Sequence, residues 1–102
     1  MSLLKLENNN FNEVRERKGL SLIDFYADWC GPCRMVMPIV EDIASEREDL
    51  LVVKVNVDDN QDLAREFGVF SIPTLVVMKD GKEIARSTGA KSKEKILEMV
   101  GT

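Results

Sequence analysis

Trp29-Cys30-Gly31-Pro32-Cys33 contains both cysteines of the chain and its only tryptophan. Two residues separate the thiols, so a bond between them closes a small ring. In the chain-entropy model that ring constrains the unfolded state by only about 2 kcal/mol, less than half the value for a loop of about 100 residues. As a staple it is poor. The spacing suits a pair that opens and closes by thiol–disulfide exchange, because the second thiol always stands beside the first. The attacking species in that exchange is a thiolate. If a helix starts at the motif, Cys30 sits at its N-terminus, where unpaired N–H groups and the helix dipole favour negative charge. Pro32 suits a first helical position, and Arg34 adds a nearby positive charge. Cys33 lies deeper in the helix and is expected to be the less acidic, resolving thiol.

A C-x-x-C pair also reads as half a zinc site or as two buried structural thiols. Tetrahedral zinc needs four ligands, and the chain has no histidine and no further cysteine. A dimer with four thiols would complete a zinc or iron–sulfur site, but nothing in the sequence requires one. No metal and no bound cofactor are expected.

Other residues carry two readings each. Asp24 is an acid inside an apolar run. It is either a satisfied or edge-exposed carboxylate, or a buried acid with a raised pKa that exchanges a proton with Cys33. Lys54, in a second apolar run, reads on its own as a side chain snorkelling from a strand end. Trp29 is either a core aromatic or part of a docking surface beside the thiols. Pro73 starts a strand on its own evidence. Met35 and Met37 read as packing residues, and Glu41, Glu46, Arg47, Glu48 and Asp49 as a solvated helix end.

The elements that must position these groups follow from local pattern. Leu3 to Leu6 suits a short strand, and Asn8-Asn9-Asn10 offers caps for a helix carrying Phe11 and Val14 and ending near Gly19. Leu20–Tyr26 is an almost continuous apolar run, suited to a strand buried on both faces. Met35, Val36, Ile39, Val40, Ile43 and Ala44 recur at helical spacing to about Arg47, with a kink expected at Pro38. Leu51–Val57 is a second β-branched run. Asp58 or Asp59 then caps a short helix that turns Leu63, Ala64 and Phe67 inward and stops at Gly68. Thr74–Lys79 and Lys82–Arg86 are strands joined by Asp80-Gly81, a strong hairpin signal. Ser92 caps a last helix with Ile96, Met99 and Val100 inward. The order β-α-β-α-β-α-β-β-α predicts an α/β fold, a mixed sheet with helices on both faces.

With 102 residues, 44% hydrophobic and 31% charged, the chain reads as one globular domain. The net charge of −4 leaves no basic footprint for nucleic acid or anionic membrane. No run approaches the ~20 apolar residues of a membrane span. The first residues lack the features of a secretory signal, so a cytoplasmic location is expected, and a monomer is the default.

Several separated stretches together resemble the thioredoxin family over nearly the whole chain: Ile23–Arg34 around the cysteines, Met37-Pro38, Lys54–Asp58, Ile72–Leu75 and Gly89-Ala90. The resemblance implies a thioredoxin fold and a protein-disulfide reductase. Cys30 is then the nucleophile that forms a mixed disulfide, and Cys33 resolves it, with Asp24 as proton partner and Lys54 in support. It further implies a cis Ile72-Pro73 bond facing the cysteines, with the Ile72 backbone pairing with substrate. Trp29, Gly31, Pro32, Ile72, Pro73, Gly89 and Ala90 border the substrate groove. Disulfide-containing proteins are the implied substrates and a thioredoxin reductase the electron donor. Gly31-Pro32 between the cysteines matches reducing members. Two departures stand out: Tyr26 replaces a frequent second tryptophan, and Phe70-Ser71 precedes Ile72 where smaller or charged residues are frequent. The rivals are a thiol oxidase or isomerase, and a redox-independent binding subunit using the same surface.

Overall fold

In the computed structural model the described residues are 3–5 and 11–101. Asn8-Asn9-Asn10 and Leu6 lie outside them. The elements are β1 (Leu3–Lys5), α1 (Asn12–Glu16), β2 (Leu20–Tyr26), α2 (Gly31–Glu46), β3 (Leu51–Asn56), α3 (Gln61–Glu66), β4 (Thr74–Lys79), β5 (Lys82–Thr88) and α4 (Lys93–Val100). This is the order expected from pattern alone.

The strands form one mixed sheet in the order β1-β3-β2-β4-β5. β3 runs parallel to β1 and β2, whereas β4 is antiparallel to β2 and β5. Period-two alternation sends neighbouring side chains to opposite faces. Leu22, Val52, Leu75 and Val77 meet Val36, Val40 and Ile43 of α2 and Ile96 and Val100 of α4. Ile23, Phe25, Val53, Val55 and Val76 meet Phe11 and Val14 beside α1, with Leu63 and Phe67 at α3 packed against them. The apolar run of β2 is thus explained by helices on both sides.

Boundaries moved where nearby groups competed for the backbone. α3 begins at Gln61 with Asn60 at its N-cap position, so neither Asp58 nor Asp59 caps it. The Asn56 side chain instead accepts the Asp58 N–H, and Asn56 O accepts that of Asp59. This Asx-type turn delays the helix. α1 stops at Glu16, short of Gly19, because Arg17 already has extended ψ. β5 continues past Arg86 to Thr88, since pairing with Thr74 and Leu75 persists. α2 runs on through Pro38, and Met35 lies off its buried stripe.

The β4–β5 turn matches its sequence signal. Asp80 and Gly81 have φ of 52° and 81°, the two positive values a type I′ hairpin needs. A Cβ on Gly81 would overlap the Arg15 carbonyl oxygen, so glycine is required for close approach as well as for φ.

Candidate active site

Strand register gathers the site. Phe25 pairs with Thr74 across β2 and β4, which sets the β2–α2 loop beside Ile72-Pro73. Thr74 also pairs with Thr88, which brings Gly89 to Pro73, and the Gly89 N–H donates to the Pro73 carbonyl at 2.8 Å. Three segments far apart in sequence therefore share one end of the sheet. The Ile72-Pro73 peptide is cis, as the resemblance implied.

Cys30 occupies the N-cap position of α2, and its Sγ accepts the Cys33 N–H at 3.2 Å. That hydrogen bond uses one of the free donors at the helix start. Cys30 and Cys33 form a disulfide, with Cα atoms 5.3 Å apart. Both sulfur-bearing residues are buried, 5% and 1% exposed, and pack with Tyr26, Ala27, Met37 and Ile72. Cys30 Sγ lies 3.8 Å from the Ile72 carbonyl oxygen. Arg34 turns its guanidinium to the Asp28 carbonyl, with Nε and Nη2 donating at 3.3 and 3.1 Å. Its charge thus braces the loop leading into Cys30.

Around the thiols, Gly31, Pro32 and Ala90 are exposed, while Ile72 is half-buried and Pro73 buried. Trp29 is 67% exposed, which excludes the core-aromatic reading. Its indole N–H donates to Asp58 Oδ2 at 2.8 Å. Local pattern offers Asp58 only as a candidate helix cap alongside Asp59, because no local signal pairs residues 29 positions apart. It fixes the ring beside Cys30.

Asp24 points to the α2 face of the sheet, the face of Leu22 and Tyr26, and is fully buried. Neither carboxylate oxygen has a hydrogen-bond partner among the described residues. The edge-exposed and satisfied-carboxylate readings therefore both fail. Burial pushes its pKa from 3.8 up to about 7, and the lowering pull of Lys54 only partly offsets this. Lys54 is the register partner of Asp24 on β3. Its ammonium lies over the Tyr26 ring, 5.7 Å from Nζ to centroid, and 3.7 Å from Glu41 Oε2. Lys54 therefore reaches outward while standing next to the buried acid. A cavity of about 390 Å³, lined in part by Cys33, Tyr26, Lys54 and Asp28, opens beside this pair. Glu41, read as a solvated residue, is the partner that sequence alone missed.

Among the described residues no group of three or more histidine, cysteine, aspartate or glutamate side chains is placed to hold a metal ion. Among them, too, no helix is long and apolar enough to cross a membrane.

The thioredoxin family model matches residues 2–102. A thioredoxin from Bacillus subtilis is 44% identical over 101 residues, spanning 98% of this chain and 96% of the relative. One from Chlamydia caviae is 48% identical over 91 residues, spanning 89% of this chain and 88% of the relative. A solved structure, that of a mutant thioredoxin from Halobacterium salinarum, superposes with a TM-score of 0.88 at 35% identity, spanning 97% of this chain and 88% of that one.

Proposed function

The chain belongs to the thioredoxin family and is a thiol–disulfide oxidoreductase, and from this premise we propose that it runs in the reducing direction on protein disulfides. The observation that carries the reading is Cys30 at the start of α2, bonded to Cys33 and flanked by the Ile72 carbonyl.

In the proposed cycle, the Cys30 thiolate attacks one sulfur of a substrate disulfide, and the other substrate sulfur leaves as thiolate and takes a proton. Cys33 then gives its proton to Asp24 and attacks Cys30 Sγ. The second substrate thiolate is released, and the Cys30–Cys33 disulfide forms. Two electrons have passed to the substrate. A pKa of about 7 lets Asp24 take or release that proton near neutral pH, and Lys54 keeps it from rising further. Trp29, Gly31, Pro32, Ile72, Pro73, Gly89 and Ala90 form the proposed substrate rim. A reductase with its own electron carrier restores the dithiol. The protein is proposed to act as a single-domain monomer in the cytoplasm.

The test is insulin-disulfide reduction with dithiothreitol. Wild type is expected to be active and Cys30→Ser inert. Cys33→Ser is expected to accumulate a mixed disulfide. Wild-type rates in both variants would overturn the reading.

A further inference from the structure

Four large hydrophobic side chains are exposed among the described residues: Trp29, Met35, Phe70 and Ile84. The first three cluster by position around the redox pair. Trp29 precedes Cys30, Met35 follows Cys33 by two residues, and Phe70 lies two residues before Ile72. Phe70 is the extreme case at 96% exposed.

The loop around Phe70 is firmly held. Gly68 N–H donates to Arg65 O and Val69 N–H to Ala64 O, at 3.0 and 2.9 Å. Thr74 Oγ1 donates to Ser71 O at 2.6 Å, and Arg86 Nη2 to Phe67 O at 2.6 Å. Phe67, Val69 and Ile72 from the same loop pack against the core, whereas Phe70 stays outside. The fold gains almost no apolar burial from this ring. A solvated loop tip would favour a polar residue, so the ring calls for another explanation.

Distance supplies one. Two residues of extended chain span at most about 7 Å, so Phe70 lies within a side chain's reach of Ile72. The Ile72 carbonyl is 3.8 Å from Cys30 Sγ, where a substrate cysteine must bond. We infer that Phe70 is a specificity-determining residue, which selects disulfides carrying an apolar side chain about two positions from the attacked cysteine. This rests on the reductase reading and adds a substrate class to it. These bonds hold the backbone on both sides of Phe70, so little backbone ordering is lost on contact. Burying a phenyl ring against a leucine side chain then favours that substrate by about tenfold.

The test uses short peptides with one cysteine and residue X two positions away on both sides, X being leucine or glycine, each oxidised to its disulfide-linked dimer. Second-order rate constants for reduction by the dithiol protein are measured by acid quench and chromatography. Wild type is expected to favour leucine over glycine about tenfold. In Phe70→Ser the ratio should fall close to one, and Phe70→Leu should restore most of it. Ile84→Ser, which changes the exposed hydrophobic of β5, should keep the wild-type ratio. An unchanged ratio in Phe70→Ser, or an equal fall in Ile84→Ser, would overturn the inference. Failure of wild type to reduce either peptide would refute the reductase reading itself, and this assignment with it.

Discussion

Changing Asp24 to alanine removes a carboxylate that is fully buried and has no hydrogen-bond partner among the described residues. Its pKa is raised from 3.8 to about 7 by burial, with Lys54 opposing. A raised folded pKa means the native state binds a proton that the unfolded state has already lost. Stability is therefore lost as pH rises from about 4 to about 7, then levels off. At about 1.36 kcal/mol per pH unit, the ionised group costs the fold about 4 kcal/mol above pH 7. Alanine removes this penalty and leaves a small cavity costing about 1 kcal/mol. Asp24→Ala is thus expected to be about 0.5 kcal/mol less stable at pH 4 and about 3 kcal/mol more stable at pH 8, with the crossing near pH 4.5. Urea unfolding of the disulfide forms from about pH 4 to about pH 8.5 measures the difference directly. A difference that stays flat across this range refutes the argument, as does a variant less stable at the alkaline end. In quenched-flow measurements the same variant should release its mixed disulfide at least about tenfold more slowly near neutral pH. Normal release would leave Asp24 a buried acid without a part in resolution.

Lys54→Gln removes the cation that lowers the Asp24 pKa. The pH profile of mixed-disulfide resolution should move to higher pH, with stability reduced near pH 8 and unchanged near pH 4. A profile identical to wild type would show that Lys54 serves only Glu41. Gly81→Ala drives a Cβ into the Arg15 carbonyl and holds alanine at positive φ, so it should cost about 2 kcal/mol or more in urea unfolding. Gly19→Ala has positive φ but open space around it, and should cost about 1 kcal/mol. Equal losses at the two glycines would remove the steric part of the argument.

What local pattern reveals here is considerable. The elements of the described residues appear in the expected order because each is signalled by its own periodicity. Asp80-Gly81 and Ser92 announce a turn and a cap through chemistry confined to about three or four residues. The Ser92 side chain accepts the Lys95 N–H as expected. Where local signals competed, pattern failed: Asp58 and Asp59 look like caps, yet the Asn56 side chain claims the turn. Met35 keeps helical spacing with its neighbours but falls beyond the edge of the buried stripe.

The cysteine pair, its spacing and the neighbouring Trp29 and Pro32 lie within five residues, so exchange chemistry could be read from the chain itself. The roles of residues beyond the motif depend on partners far away in sequence. Asp24 could have been an edge carboxylate until β3 and β4 closed on both sides of β2 and α2 covered it. That enclosure leaves its oxygens without a hydrogen-bond partner among the described residues, and it makes an ordinary carboxylate titrate near neutrality. Glu41 finds Lys54, Asp58 finds the Trp29 indole, and the Ile72 carbonyl finds Cys30 only through the sheet order. Residue type and spacing determined which bond is made and broken. Tertiary structure decided which acid stands nearby, what its pKa is and which side chains face a substrate, because burial and long-range contact are properties of the assembled sheet.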